Sequence, residues 1–355
     1  MTPEVRVHPL FSPWGRFGLY SFFIDAPEPA IVDTGIASSP AEGMVPALAA
    51  LGRRIEDVRW ILLTHGHIDH VGGASALREL TGRRAQVAIG AADAPMLRSR
   101  RAHVEEYLGG RGRYLHDPEG EARQTAAADA VISGELDPTL TLHGGETLSL
   151  GGDVTVSVHA VPGHTAGSVA YVIDGQNSVF TGDAVQIHGA ANGFPGYADP
   201  GAYRASLRYL RDELRPRRLY LGHPYRHANG VSDGVELDGE QARAALTESL
   251  DIEARTAPRM AGSDTVRNAM TGTFMERILT GNIPIPFVRR WLGAAADAGM
   301  PQVYEEVAKR LADPEQAKAL MMKASPGNAR LLEPKLDRFA ATAARLSAPQ
   351  IGRGP

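Results

Sequence analysis

Apolar positions in the first 240 residues fall into short runs punctuated by glycine and proline, as in sheet proteins. Residues 5–34 alternate such runs and end at Ile31-Val32-Asp33-Thr34-Gly35, which predicts short strands. Pro40 to Leu51 has helical spacing. Val58 to Leu63 is a compact apolar run, the mark of a strand buried on both faces, and it leads directly into His65. Ala74 to Leu80 predicts a helix. Residues 91–130 are rich in Ala, Arg and Glu and are broken by Gly109-Gly110 and Pro118, which predicts a helical insertion. From Thr139 the strand pattern returns: Val154, Val156 and Val158 alternate with Thr155, Ser157 and His159, and Val169 to Ile173 and Ser178 to Thr181 follow. Leu207, Leu210 and Leu214 mark a helix, and Arg218 to Leu221 another strand.

Beyond Gly239 the spacing becomes helical, through Phe274, Ile278, Phe287, Trp291, Leu311, Leu320, Met321, Leu331 and Phe339. Pro301, Asp313-Pro314 with Glu315, and Ser325-Pro326 mark helix starts. The chain therefore divides into a strand-rich domain over 1–239 and a helical domain or lid over 240–355. Met270, Phe274, Met275, Trp291, Met321 and Met322 suit ordinary helix packing best. A cover over an acyl chain and a homodimer interface are the other uses of such a stripe.

Composition narrows the class. Hydrophobic residues make up 43% and charged residues 22%, ordinary for a globular protein. The net charge of −4 disfavours nucleic acid as a partner. Residues 241–355 hold 16 Lys/Arg against 12 Asp/Glu, so the basic excess lies in the tail. With no cysteine, any metal must be held by nitrogen and oxygen. The N-terminus lacks an export segment, and the apolar stretch Phe17 to Ile24 is too short to span a bilayer, so a cytoplasmic protein without membrane attachment is expected.

The chemistry concentrates in Thr64-His65-Gly66-His67-Ile68-Asp69-His70, between an apolar strand and a helix. An extended backbone projects His65 and His67 to one side, and the turn into the helix sends Asp69 and His70 to a neighbouring position, so one loop can serve two metals. Val161-Pro162-Gly163-His164, Val179-Phe180-Thr181-Gly182-Asp183 and Leu219-Tyr220-Leu221-Gly222-His223 repeat the theme of a strand ending in glycine plus a ligand type. Strand ends are rigid bases, and glycine lets the backbone turn close to an ion.

HGHIDH, PGH, TGD and LGHP, preceded by VDTG, together resemble the metallo-β-lactamase superfamily over about residues 5–235. The resemblance implies an αββα sandwich, with one zinc bound by His65, His67 and His164, a second by Asp69, His70 and His223, and Asp183 bridging them. Asp33 would position a ligand loop by hydrogen bonds. Two such ions would share a water and lower its pKa, so the resemblance implies a metal-bridging hydroxide as nucleophile toward a carbonyl, with Asp69 or Asp183 passing the proton to the leaving group. Iron and manganese suit the same donors. Family iron enzymes carry a carboxylate where this chain has His67, which favours zinc and hydrolysis.

Within the family, the spacing and tail look closest to thioesterases of the glyoxalase II and alkylquinolone-pathway type and to lactonases. The expected substrate is thus a small-molecule thioester, lactone or carboxyl ester. Ala184-Val185-Gln186 stands where lactonases often place a tyrosine, which weakens the lactone reading, and no basic pattern for glutathione is evident in the tail. The missing cysteine ligand argues against antibiotic hydrolysis. Gln186, His188, Asn192, Phe194, Tyr197, Tyr225 and His227 are candidate pocket residues. His8, His103, His116, His143 and His159 carry no assigned role. A metal-dependent phosphodiesterase or nuclease is the alternative, kept alive by Arg98, Arg100, Arg101, Arg111 and Arg113; a non-catalytic member should have lost ligands, and none is missing.

Overall fold

Consecutive apolar side chains in a strand point to opposite faces, so a strand that is apolar throughout needs a hydrophobic layer on each side. The computed structural model describes residues 5–14, 17–107, 118–185, 199–227 and 231–260. It meets that requirement with two six-stranded sheets packed face to face.

The first sheet has the order β1 (Arg6–Trp14), β2 (Phe17–Asp25), β3 (Ala30–Val32), β4 (Trp60–Leu62), β5 (Gln86–Gly90) and β6 (Leu140–Leu142). Its first three strands pair antiparallel and its last four parallel. The second sheet comprises β7 (Thr147–Ser149), β8 (Thr155–Ala160), β9 (Val169–Ile173), β10 (Ser178–Gly182), β11 (Arg218–Arg226) and β12 (Ser232–Asp238), in that order across it. Only β10 and β11 are parallel there.

The alternation divides three cores. Phe22, Ile24, Val32, Leu62 and Ala88 face Val156, Val158, Tyr171, Phe180 and Tyr220 between the sheets. Phe23, Ile31, Ile61, Leu63, Val87 and Ile89 point the other way, beneath α1 (Val45–Ala50), α2 (Ile68–Val71), α3 (Ala74–Leu80) and α4 (Ala94–Arg98). Ala170, Val172, Val179, Leu219 and Leu221 form the third core with Tyr203, Leu207, Leu210, Ala242, Ala245 and Leu246. The result is an αββα sandwich. β5 and β12 are strands that the sequence pattern did not single out.

The expected helical insertion contains α4, α5 (Arg100–Tyr107) and α6 (Pro118–Val131), and the helix marked by Leu207 is α7 (Pro200–Arg208) with a further turn to Leu214. The last element among the described residues, α8 (Gly239–Met260), starts in a reciprocal cap: the Asp238 carboxylate accepts from the Glu240 and Gln241 N–H groups, and Gln241 Oε1 accepts from the Asp238 N–H at 3.0 Å. The chain divides into two compact units, Met1–Val104 with Ala126–Glu253, and Glu105–Thr125 with Ala254–Pro355. The described parts of the second unit are helical. The apolar stripe expected from Met270 onward lies outside the described residues, as do Gln186, His188, Asn192, Phe194 and Tyr197.

α8 is also joined to the second sheet by charge. His227 donates through Nδ1 to Glu248 (2.7 Å) and through Nε2 to Asp233 (2.8 Å), and these carboxylates raise its pKa despite partial burial. A raised histidine stabilises the fold fully below its ordinary value of 6.5, and the contribution fades as pH rises through the folded value. His227→Gln should therefore cost about 1 kcal/mol in urea unfolding at pH 6, with the deficit shrinking toward pH 9; an equal deficit at both would contradict the charge account.

Candidate metal centre

The chain reaches the site along strands that the cores hold rigid. β4 runs through Leu63 and Thr64 into His65, and His67 has extended backbone before α2 carries Asp69 and His70. β8 leads to His164, β10 delivers Asp183 just past Gly182, and β11 contains His223. Gly222 is required by close approach: a Cβ there would lie 2.6 Å from His70 Cε1 and closer still to Asp183 Oδ1.

Three clusters of potential ligand atoms result, each within 4.8 Å: His65, His67 and His164; Asp69, His70 and His223; and His65, His70 and Asp183. His164 Nε2 lies 3.1 Å from His65 Nε2 and 2.8 Å from His67 Nδ1. Asp69 Oδ2 lies 3.1 Å from His223 Nε2 and 3.8 Å from His70 Nε2. Asp183 stands between the trios, with Oδ1 3.4 Å from His70 Nε2 and Oδ2 3.7 Å from His164 Nε2 and 3.5 Å from His223 Nε2.

This donor set fits metal ions. Ligands about 2.0–2.1 Å from a tetrahedral zinc lie roughly 3.3 Å from one another, close to the spacings within the histidine trio. His70 Nε2 and Asp183 Oδ1 are buried and face each other at 3.4 Å without forming a hydrogen bond, and a cation between them would complete both.

A buried network orients the imidazoles. Asp33 Oδ2 accepts from His70 Nδ1 at 2.9 Å, and Asp33 Oδ1 accepts from the Thr64 N–H at 2.8 Å. Thr64 Oγ1 donates to Asp33 and accepts from His65 Nδ1 at 3.0 Å. With both Nδ1 atoms engaged outward, His65 and His70 turn Nε2 inward, the atom each would offer to a metal. The Asp33 N–H is itself fixed by the Leu62 carbonyl at 3.0 Å, and its backbone occupies the left-handed region at φ 58°.

The electrostatics separate the two sides. Burial holds His65 well below its ordinary pKa, and neighbouring His70 adds to the effect; burial and His164 do the same to His67. At His70 burial opposes the charged form, but Asp183, Asp33 and Asp69 outweigh it and raise the pKa well above the ordinary value. His223 is likewise pushed up to about 10, against its burial, by Asp183 and Asp69. Burial alone would raise Asp69 and Asp183; the facing imidazoles lower both instead. Burial thus favours neutral imidazoles at His65 and His67, while the carboxylates of Asp69 and Asp183 favour charged ones at His70 and His223.

All of the ligand-type side chains expected from the motifs, and Asp33, converge here. Tyr225, expected as a pocket residue, is instead fully buried, its hydroxyl bonded to the Ala245 carbonyl, Glu248 and Ser249. It packs in the core beneath α8 because β11 turns it away from solvent. His227 is taken up by the ion cluster described above. Thr34 and Thr64 are supporting residues that sequence reading passed over, as is Asp93, which binds Gly66, Thr165 and Gly167. His103 is buried, and burial lowers its pKa to about 4.

Fold and site together define a metal-dependent sandwich protein, and comparison with known proteins agrees. The Metallo-beta-lactamase superfamily profile matches residues 15–223, and the chain belongs to that family. It is 32% identical over 237 residues to a hydroxyacylglutathione hydrolase of Rhodopseudomonas palustris (strain BisA53), covering 65% of this chain and 76% of that one. A second hydroxyacylglutathione hydrolase, from Rhodopseudomonas palustris (strain ATCC BAA-98 / CGA009), is 28% identical over 284 residues, covering 77% and 88%. A metallo-beta-lactamase family protein from Thermus thermophilus shares the fold with a TM-score of 0.50 and 21% identity, over 73% of this chain and 81% of that one.

Replacing Asp33 removes the acceptor that sets the His70 tautomer. Asp33→Ala should lower metal affinity about 10- to 100-fold, read by competition with a chromophoric chelator; unchanged affinity would show that the imidazoles orient themselves.

Proposed function

We propose that this chain hydrolyses a carbonyl ester of a small molecule, a thioester first, using two zinc ions held by His65, His67 and His164 and by Asp69, His70 and His223, with Asp183 shared. The observation that carries the reading is the position of Asp183, within 3.4–3.7 Å of nitrogens from both trios. Bound ions supply Lewis acidity and an acidified water. The side chains do the rest. Asp33 and Thr64 keep two imidazole lone pairs facing inward. Asp183, with only 5% of its side chain exposed, would be shared by the two ions, while Asp69, 19% exposed, would be the carboxylate open enough to take a proton and pass it to the departing sulfur or oxygen.

The thioester class is supported by the hydroxyacylglutathione hydrolases at 28–32% identity. Lactones and carboxyl esters share the same carbonyl chemistry and form the next tier. Two arginines that favoured a nucleic-acid substrate already have partners within the chain: Arg98 pairs with Asp137 at 3.1 Å, and Arg100 donates to the Ile132 carbonyl at 2.8 Å. A cytoplasmic location is part of the proposal; separately, among the described residues no helix is long and apolar enough to cross a membrane.

Zinc-loaded protein should hydrolyse thioesters at least about tenfold better, by kcat/KM, than phosphodiesters, a gap of about 1.4 kcal/mol, and chelation should abolish the activity. Preference for phosphodiesters, or activity that survives chelation, would overturn the assignment.

A further inference from the structure

We propose that Asp93 is a positioning residue that sets the gap between the two chain segments carrying His65, His67 and His164, and so tunes metal affinity at that trio alone. The inference rests on reading the trio as a ligand set.

Asp93 stands at the N-cap of α4, followed by Ala94-Pro95, where an aspartate ordinarily caps its own helix. Its side chain makes no such cap bond. Instead the carboxylate, in a residue only 1% exposed, reaches into the site's supports. Oδ2 accepts from the Gly66 N–H at 2.8 Å and from the Thr165 hydroxyl at 2.6 Å, and Oδ1 accepts from the Gly167 N–H at 2.8 Å. Gly66 is the residue between His65 and His67, and Thr165 immediately follows His164. One buried carboxylate therefore joins both ligand segments directly beside the ligands.

The surroundings are shaped for this approach. A Cβ on Gly167 would fall 2.6 Å from Asp93 Cγ and Oδ1, and one on Gly66 would lie 3.1 Å from Asp93 Cβ and collide with Met96. Thr165 Oγ1 is 2.7 Å from Ser168 Oγ, so Ser168 can donate to it and leave the threonine proton for Asp93. A backbone bond from the Val169 N–H to the Thr64 carbonyl joins the same segments one residue before His65, and Asp93 extends the link to Gly66, between the two histidines. Asp33 reaches His70 directly and His65 through Thr64, His223 lies on β11, and none of these bonds involves Asp93.

The test is a zinc titration of metal-free protein against a chromophoric chelator, with melting of the metal-free forms alongside. Asp93→Asn keeps the shape but presents an amide N–H to a donor; Thr165→Val removes one donor and leaves Asp93 intact. Wild type should bind two equivalents. Asp93→Asn should keep one tight site and lose about 10- to 100-fold at the other, and Thr165→Val should lose less at that same site. His223→Ala should retain one tight site, and the double variant Asp93→Asn/His223→Ala none. Wild-type affinity at both sites in Asp93→Asn and Thr165→Val, even with lowered melting, would reduce Asp93 to a brace of the fold and overturn the proposal; so would equal loss at both sites. If Asp93→Asn does not fold, Thr165→Val decides by the same criteria. A wild type that binds no zinc fails the ligand reading itself, a distinct result.

Discussion

Side chains that repel or ignore one another in water are here packed with their lone pairs face to face. His164 Nε2 confronts both His65 Nε2 and His67 Nδ1, and one proton cannot satisfy both contacts. Asp183 Oδ1 and His70 Nε2 are buried without hydrogen bonds. Such an arrangement has to be imposed by the scaffold, and a cation bound there would complete it. The rest of the molecule follows from that demand.

Rigidity comes from strands enclosed on both faces. β4, β10 and β11 lie between the inter-sheet core and an outer helix-covered core, so their ends cannot drift without disturbing two packed layers. Orientation comes from buried acceptors behind the imidazoles. Asp33 is central among them, and its left-handed backbone at φ 58° is local strain held in place by the Leu62 carbonyl and by its side chain's bonds to Thr64 and His70.

The candidate ligand residues, which the structure brings together, were legible because each group of them follows a strand signal closely, and because glycine beside them marks close approach. The double-faced strands were legible too, as runs such as Trp60-Ile61-Leu62-Leu63. β12 was not: Ser232-Asp233-Gly234 reads as a loop, and only Val235 and Leu237 turn inward. Tyr225 was misplaced because exposure depends on α8, which arrives from later in the chain and caps its hydroxyl. Asp93 was hidden by the opposite effect, since Asp-Ala-Pro looks like an ordinary helix start and its true partners lie 27 and 72 residues away. Local patterns reveal which side chains can bind; which groups hold them in place is a matter of long-range contact.

The central claim is that these residues hold a pair of cations. Elemental analysis of purified protein, repeated after removal and readdition of zinc, measures it most directly. The account predicts two equivalents of transition metal per chain; a protein that takes up none under both conditions would contradict it.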